Sequence, residues 1–283
     1  MTSPKYSPKH FNLTFPREWI AHVETNRPDK LNAYHEAMWL ELRTLFDTLS
    51  TDPSVRVVIF SGAGDRAFTA GLDVKAASQG MLSQSGGGQK ADGARVAWQL
   101  RRSVLSFQDC VSALERCEKP VIVVLHGISF GLAIDLATAA DVRVCSADTR
   151  FSVKEVDIGL AADVGTLTRL PKVVGNYGWV KEVALSARVF GAEEALRVGF
   201  VNRVLPSKAE AIADALKLAE LIATKSPVAV QGTKELLNWS RDHNVPDGLR
   251  YTGVWNSAAL QTSDVSAALL SGLEKRQPKF EKL

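Results

Sequence analysis

Three carboxylates crowd a stretch that is otherwise small and apolar. "FSVKEVDIGLAADVG", residues 151–165, carries Glu155, Asp157 and Asp163. A carboxylate in apolar surroundings is costly unless it is paired, hydrogen-bonded or protonated. Such residues therefore act as structural caps or sit where a proton is moved. A further acid, Asp135, lies between Ile134 and Leu136 in "GLAIDLATAAD". Each has a plainer use. Asp163 precedes "VGTLTRL" and could cap a helix; Asp135 could be a satisfied buried acid; Glu155 could pair with Lys154 or Arg150 at the surface. Asp157 reads as structural or solvated, His126 as a packed core histidine and Asp141 as a helix-end or turn residue.

Acids alone move protons; stabilising the charge that results needs donors. Two strand–glycine–helix turns could supply them: "AFTAGLDVKAA" with Gly71, and "LHGISFGLAID" with Gly127 and Gly131. Glycine lets the backbone turn sharply, and the amides of a first helical turn lack internal acceptors and favour negative charge. Two such amides converging on one carbonyl oxygen make an oxyanion hole.

Several elements must hold these turns in place. "WIAHVET", "VRVVIFSGAG" and "KPVIVVLHG" read as strands, the last as one buried on both faces. "YHEAMWLELRTLFDTLS" puts Met38, Leu42, Leu45 and Phe46 on one helical face. This alternation predicts an α/β core with parallel pairing over residues 1–205. Residues 206–283 are helical in period and form an appendage. Trp239, Trp255 and Leu260 there suit either a subunit contact or packing on the chain's own core. The Gly-, Ser- and Gln-rich stretch between Asp73 and Trp98 reads as a mobile surface excursion or as a cover for a bound ligand.

The composition narrows the function. Hydrophobic residues make up 46% of the 283, enough for a full core. With 34 basic against 31 acidic residues and no Lys/Arg block, a nucleic-acid surface is not expected. No apolar run approaches a membrane span, and the first residues lack the apolar core of a secretory leader. The three cysteines lack metal-type spacing, so no metal site is expected. Residues 281–283, Glu-Lys-Leu, match two of the three positions of a peroxisomal address, making the peroxisome the expected location and mitochondrion or cytoplasm the alternatives.

"NRPDKLNA", "AFTAGLDVK", "KPVIVVLHG" with "DLATAADVRV", and "FSVKEVDIGLAADVGTLTRLPKVVG" together resemble the crotonase (enoyl-CoA hydratase/isomerase) superfamily over nearly the whole chain. The resemblance implies a spiral of ββα units with a C-terminal helical region that builds homo-trimers, often paired as hexamers. It implies an acyl-CoA thioester substrate and no cofactor, coenzyme A being part of the substrate. It assigns the oxyanion amides to Leu72 and Leu132. Lys30, Leu31, Ala70, Gly71, Asp73, Lys75 and Gly131 would line the coenzyme A and substrate site, with Lys30 and Lys75 available to phosphates. Most relatives have glycines where this chain has Leu132 and Ala133, a change expected to reshape the acyl pocket. The set Asp135, Glu155 and Asp163 resembles the dienoyl-CoA isomerase branch, with Glu155 as base at C2, Asp163 as the partner at C6 and Asp135 as an auxiliary carboxylate. Apolar walls of Val153, Val156, Leu160, Ala161 and Ala162 would raise the carboxyl pKa values. A hydratase or Δ3,Δ2-enoyl-CoA isomerase, and a non-catalytic acyl-CoA-binding or interaction protein, remain the competing readings.

Overall fold

The computed structural model describes residues 6–76 and 92–283. Most of the expected excursion after Asp73 lies outside them. A six-stranded sheet forms the centre, in the order β1 (Phe11–Arg17), β2 (Trp19–Thr25), β3 (Val55–Gly62), β5 (Val121–Leu125), β7 (Val142–Ser146), β10 (Arg203–Leu205). All neighbours run parallel except the β1–β2 hairpin.

β3 and β5 are buried along their whole length because both faces of the sheet are covered. Successive side chains point to opposite faces. Val58, Phe60, Val121, Val123 and Leu125 therefore join the main core. It also takes in α1 (Glu36–Ser50) through Met38, Leu42, Leu45, Phe46 and Leu49. Val57, Ile59, Ile122 and Val124 face the other way, onto helix Lys208–Ala223, whose Ala211, Ala215, Ala219 and Ala223 pack at one-turn spacing. The boundary expected at residue 205 thus falls just before a helix that serves the central sheet.

Pairs of strands followed by helices recur along the chain. β3 leads to β4 (Ala67–Thr69) and α2 (Gly93–Arg116); β5 leads to β6 (Ile128–Phe130) and α3 (Leu132–Ala139); β7 leads to β8 (Arg150–Ser152) and α4 (Thr166–Val173). In each pair the first strand joins the large sheet and the second a small one, ordered β4, β6, β8 and β9 (Phe190–Gly191). This repeat is the expected ββα spiral.

Past α5 (Tyr177–Ser186), α6 (Ala192–Arg197) and the sheet-covering helix, here α7, come α8 (Pro227–Arg241), α9 (Val245–Ala259) and α10 (Ser263–Leu273). Each begins at a side-chain cap, from Ser226, Asn244 and Thr262 respectively. α8 is fastened to the core by Lys234, whose ammonium donates to Asp141 at 2.7 Å and to the carbonyls of Leu114 and Lys119. Trp239 stacks on His243 and packs at a tilt against Tyr251, and Trp255 lies against Gly232, while Leu260 is exposed. The two tryptophans pack within their own region.

Candidate active site

The small sheet explains why distant segments meet. β4, β6 and β8 are adjacent and parallel, so their C-terminal ends lie side by side at one edge. The segments that leave this edge are Ala70–Asp73 after β4, Gly131–Leu132 after β6, and Lys154–Glu155 after β8. Gly131 N–H donates to Ser152 carbonyl at 2.9 Å, tying the second exit to the third. A Cβ on Gly71 would lie 3.1 Å from the Phe130 carbonyl oxygen and 3.6 Å from the Leu132 nitrogen. A Cβ on Gly131 would lie 3.1 Å from Oε1 of Glu155. Both glycines have positive φ (98° and 54°), so the close approach and the conformation each require them.

The amide of Leu72 is spared by the local pairing. Tyr34 N–H donates to Gly71 carbonyl and Asp73 N–H to Tyr34 carbonyl, a bridge that passes over Leu72 N–H. Leu132 is the first residue of α3, where the helix offers its amide no acceptor. Its side chain is buried in the main core with that of Ala133, so the Leu–Ala pair expected to reshape the acyl pocket packs inward.

Glu155 opens a short 3₁₀ turn, Glu155–Ile158. Among the described residues no surface ion pair holds it: Lys154 pairs with Asp157 instead, and Oε2 of Glu155 is buried without a partner there. Burial raises its pKa and the charge of Asp163 adds to the rise, against the opposing pull of nearby backbone N–H groups. Asp135 is fully buried. Burial first, and the Glu155 charge second, push it up to about 7 despite two hydrogen bonds from Thr166. Asp163 is half-buried and also raised by burial. It caps no helix; α4 begins after Gly165 with no side-chain cap. Its carbonyl instead accepts from Gln108 of α2 at 2.6 Å.

The apolar walls differ in part from expectation. Val153 is buried, but Val156 and Leu160 are each 40% exposed and Ala161 is exposed too. Val156 on the 3₁₀ turn and Leu160 and Ala161 just after it are thus open to solvent in this single chain. The Gly131 turn is the neighbour that closes on Glu155, within 3.1 Å of its Oε1 for an added Cβ.

The residues expected to meet coenzyme A divide into two groups. Lys30 and Lys75 are exposed. Leu31 takes a left-handed conformation (φ 51°) and accepts from the Ala70 amide, which joins the "RPDKLNA" turn to the first oxyanion turn. Asp73 is engaged within the protein: its carboxylate receives Arg27 at 2.7 Å and the Ala76 amide at 3.1 Å. Asn32, passed over in the sequence, holds the same turn through Arg27 N–H and the carbonyls of Ala63 and Ala67. Of the remaining acids, Asp157 is exposed. His126 is buried, bonded to the Gly64 carbonyl and pushed down to about 4, mainly by burial.

Behind the acids lies a charged row that sequence reasoning missed. Arg169 of α4 binds Glu115 and Ser112 of α2, and Glu115 also receives Arg241 of α8. A Cβ on Gly165 would run into the Arg169 guanidinium, and Gly165 has φ 149°. No short-range pattern announces contacts 54 and 126 residues apart.

A profile of the enoyl-CoA hydratase/isomerase family matches residues 17–282. The chain belongs to the enoyl-CoA hydratase/isomerase family. It is 44% identical over 284 residues to the human mitochondrial Δ(3,5)-Δ(2,4)-dienoyl-CoA isomerase, covering 99% of this chain and 85% of that protein. It is 43% identical over 264 residues to the peroxisomal Δ(3,5)-Δ(2,4)-dienoyl-CoA isomerase of Arabidopsis thaliana, covering 93% of each. Among solved structures, an enoyl-CoA hydratase from Bacillus anthracis superposes with a TM-score of 0.85 at 26% identity, covering 96% of this chain and 99% of that one. Like other members of the family, this chain is an enzyme with the crotonase fold.

Proposed function

We propose that this enzyme isomerises 3,5-dienoyl-CoA thioesters to their 2,4-isomers in fatty-acid β-oxidation. The observation that carries the reading is the third acid: Asp163 is partly desolvated, caps nothing and acts electrostatically on Glu155. Hydration needs two carboxylates at C2–C3; an acid further along the acyl chain serves a longer proton shift. The printed names of the human and Arabidopsis relatives support the same substrate.

The C2 proton of a 3,5-dienoyl thioester is acidified by the carbonyl and the neighbouring double bond. The Glu155 carboxylate takes it, and the charge spreads from the thioester oxygen along the diene to C6. The amides of Leu72 and Leu132 stabilise that oxygen. Protonated Asp163 then returns a proton at C6. Glu155 ends protonated and Asp163 ionised, so exchange through solvent resets the pair, which Asp163's partial exposure permits. Raised pKa values bring both groups nearer the working pH, where such transfer is efficient. Asp135 sits behind Glu155 as the auxiliary acid. The shift consumes no redox equivalent and needs no group beyond the coenzyme A that the substrate carries.

A homo-trimer, or a hexamer of two trimers, forms part of the proposal. Val245 and Leu249 on α9, and Leu269 and Leu273 on α10, are exposed at one-turn spacing and form apolar stripes of the kind that subunits cover. Light scattering on the purified chain reads this directly. Peroxisomal residence is the reading carried by residues 281–283 and by the Arabidopsis relative's name, with mitochondria as the alternative that the human relative's name supports.

The activity test follows the ultraviolet absorbance as a 3,5-dienoyl-CoA becomes the conjugated 2,4-isomer. The wild type should turn it over faster than it hydrates crotonyl-CoA. The reverse order would return the chain to the hydratase reading.

A further inference from the structure

Asp135 is held from one side only. Its Oδ1 accepts two hydrogen bonds, from the Thr166 amide at 2.5 Å and the Thr166 hydroxyl at 2.7 Å. Its Oδ2 is buried and has no partner among the described residues. Both donors, one backbone and one side-chain, come from one residue and end on one oxygen, so a single residue holds Oδ1 in place. Thr166 is suited to this. It is fully buried and is the first residue of α4, so its amide has no helical acceptor and is free to point at Asp135. Its β-branched side chain restricts χ1, which keeps the hydroxyl beside the amide.

We infer that Thr166 is the positioning residue of the acid pair, pinning Oδ1 of Asp135 and leaving Oδ2 as the atom through which Asp135 acts on Glu155. The inference rests on the reading that Glu155 exchanges the C2 proton. Thr166 never meets the reacting atoms; it acts through Asp135.

The charges around Asp135 allow the effect to be read. Glu155 faces it from the turn after β8 and raises its pKa, while Arg169 of α4 lowers it. Arg169 is itself engaged by Glu115 of α2. On the same helix, Asp109 is paired with Arg43 and Arg116. Arg143 of β7 meets the far end of α3, at the carbonyls of Ala137 and Ala140. β4 and β6 bring no titratable side chain, and Arg150 of β8 is exposed. Against this fixed surround, the Thr166 hydroxyl is the neutral donor that favours the ionised form of Asp135. Without it Asp135 keeps its proton to higher pH, and Glu155 loses the neighbouring negative charge that strengthens it as a base.

The test compares wild type, Thr166→Val, Thr166→Ser and Asp135→Asn by dienoyl-CoA absorbance across pH. In Thr166→Val, kcat should fall about tenfold, the rate equivalent of one lost hydrogen bond, with KM within twofold of wild type. The inflection that is present in wild type and missing in Asp135→Asn should move upward. Thr166→Ser should recover kcat to within twofold, because the hydroxyl returns. A Thr166→Val enzyme with wild-type kcat and pH profile overturns the inference, and so does a serine variant as slow as valine, which would make the methyl the part that matters. If Thr166→Val does not fold, Thr166→Ala is judged by the same criteria. An inactive wild type overturns the functional reading and the inference together; an active wild type beside an indifferent Thr166→Val overturns the inference alone.

Discussion

Two aspartates six positions apart share a cost and differ in what offsets it. Asp135, inside α3, and Asp141, just beyond it, are both raised chiefly by burial. Asp141 meets the Lys234 ammonium at 2.7 Å and the Val121 amide at 2.7 Å. Asp135 meets Thr166 on one oxygen, a second acid in Glu155, and among the described residues no partner on the other oxygen. A buried carboxylate given a cation becomes a fastener, here of α8 to the sheet. One set beside another carboxylate stays electrostatically unsettled, and that is the condition for a proton to come and go near neutral pH.

The largest effect that sharpens this contrast is on rate. Glu155→Gln keeps the shape and removes the base, so kcat should fall about 10³-fold. Thermal stability should hold or rise, since an unpartnered buried charge has gone. Asp163→Asn should cost less, about 10²-fold, because solvent can supply some C6 protons to a half-exposed site. Stopped-flow absorbance with parallel melting curves checks both. A loss of stability without loss of rate in either variant would make that acid a fastener like Asp141.

The mirror experiment strands the fastener. Lys234 is 7% exposed and Asp141 24%, so Lys234→Met leaves a carboxylate with limited access to water. The cost should be about 3 kcal/mol of stability, the lower end for a broken buried pair. Turnover per folded molecule should stay at the wild-type value. Pairing it with Asp141→Asn should recover most of the loss in a denaturant titration. If Lys234→Met slowed turnover at unchanged stability, the division between the two aspartates would fail.

A third effect lies in pH. Asp135 binds its proton more tightly folded, to about 7, than unfolded, near 3.8. Below pH 4 both states hold the proton and there is no penalty. As pH rises toward 7 the unfolded state alone ionises, so stability falls, and above 7 the loss levels off. Asp135→Asn should remove that part of the slope, about 4 kcal/mol and on the order of ten degrees in Tm between pH 4 and 7. A slope identical to wild type would mean that Asp135 titrates normally in the fold.

How far these differences could be read beforehand depends on sequence distance. β5 was visible as an unbroken apolar run because burial on both faces leaves no polar alternation, and β3 as a mostly apolar run, with Arg56 in it, ending in a glycine turn. The glycine turns at 71 and 131 were visible because a strand, a glycine and a helix start are contiguous. The acids stood out against small apolar neighbours. The partners that decide their roles were invisible. Lys234 is 93 positions from Asp141, Arg241 is 126 from Glu115, and Gln108 is 55 from Asp163. Thr166 lay in plain view in "VGTLTRL", but only the fold shows that its hydroxyl meets a carboxylate 31 residues earlier. The alanine spacing of α7 matched the helical appendage, and nothing local marked it as the cover of the sheet's second face.

The smallest effect comes from the same short turn as the largest. Asp157 is two residues from Glu155, yet it is exposed and pairs with Lys154 one helical turn away. Such a pair gains little in water, because both ions are well solvated and two long side chains must be held still. Asp157→Asn should therefore shift stability by no more than about 0.5 kcal/mol and leave kcat unchanged. There is also an indirect route: freeing Lys154 lets its ammonium swing toward Glu155, which would lower that carboxyl's pKa and move the acid limb of the rate profile downward. Lys154 also lies over the Phe130 ring at 5.9 Å, a contact that opposes such a swing. An unmoved acid limb in Asp157→Asn shows that the ring and solvent hold the lysine; a displaced one shows that the surface pair insulates the base from the charge beside it.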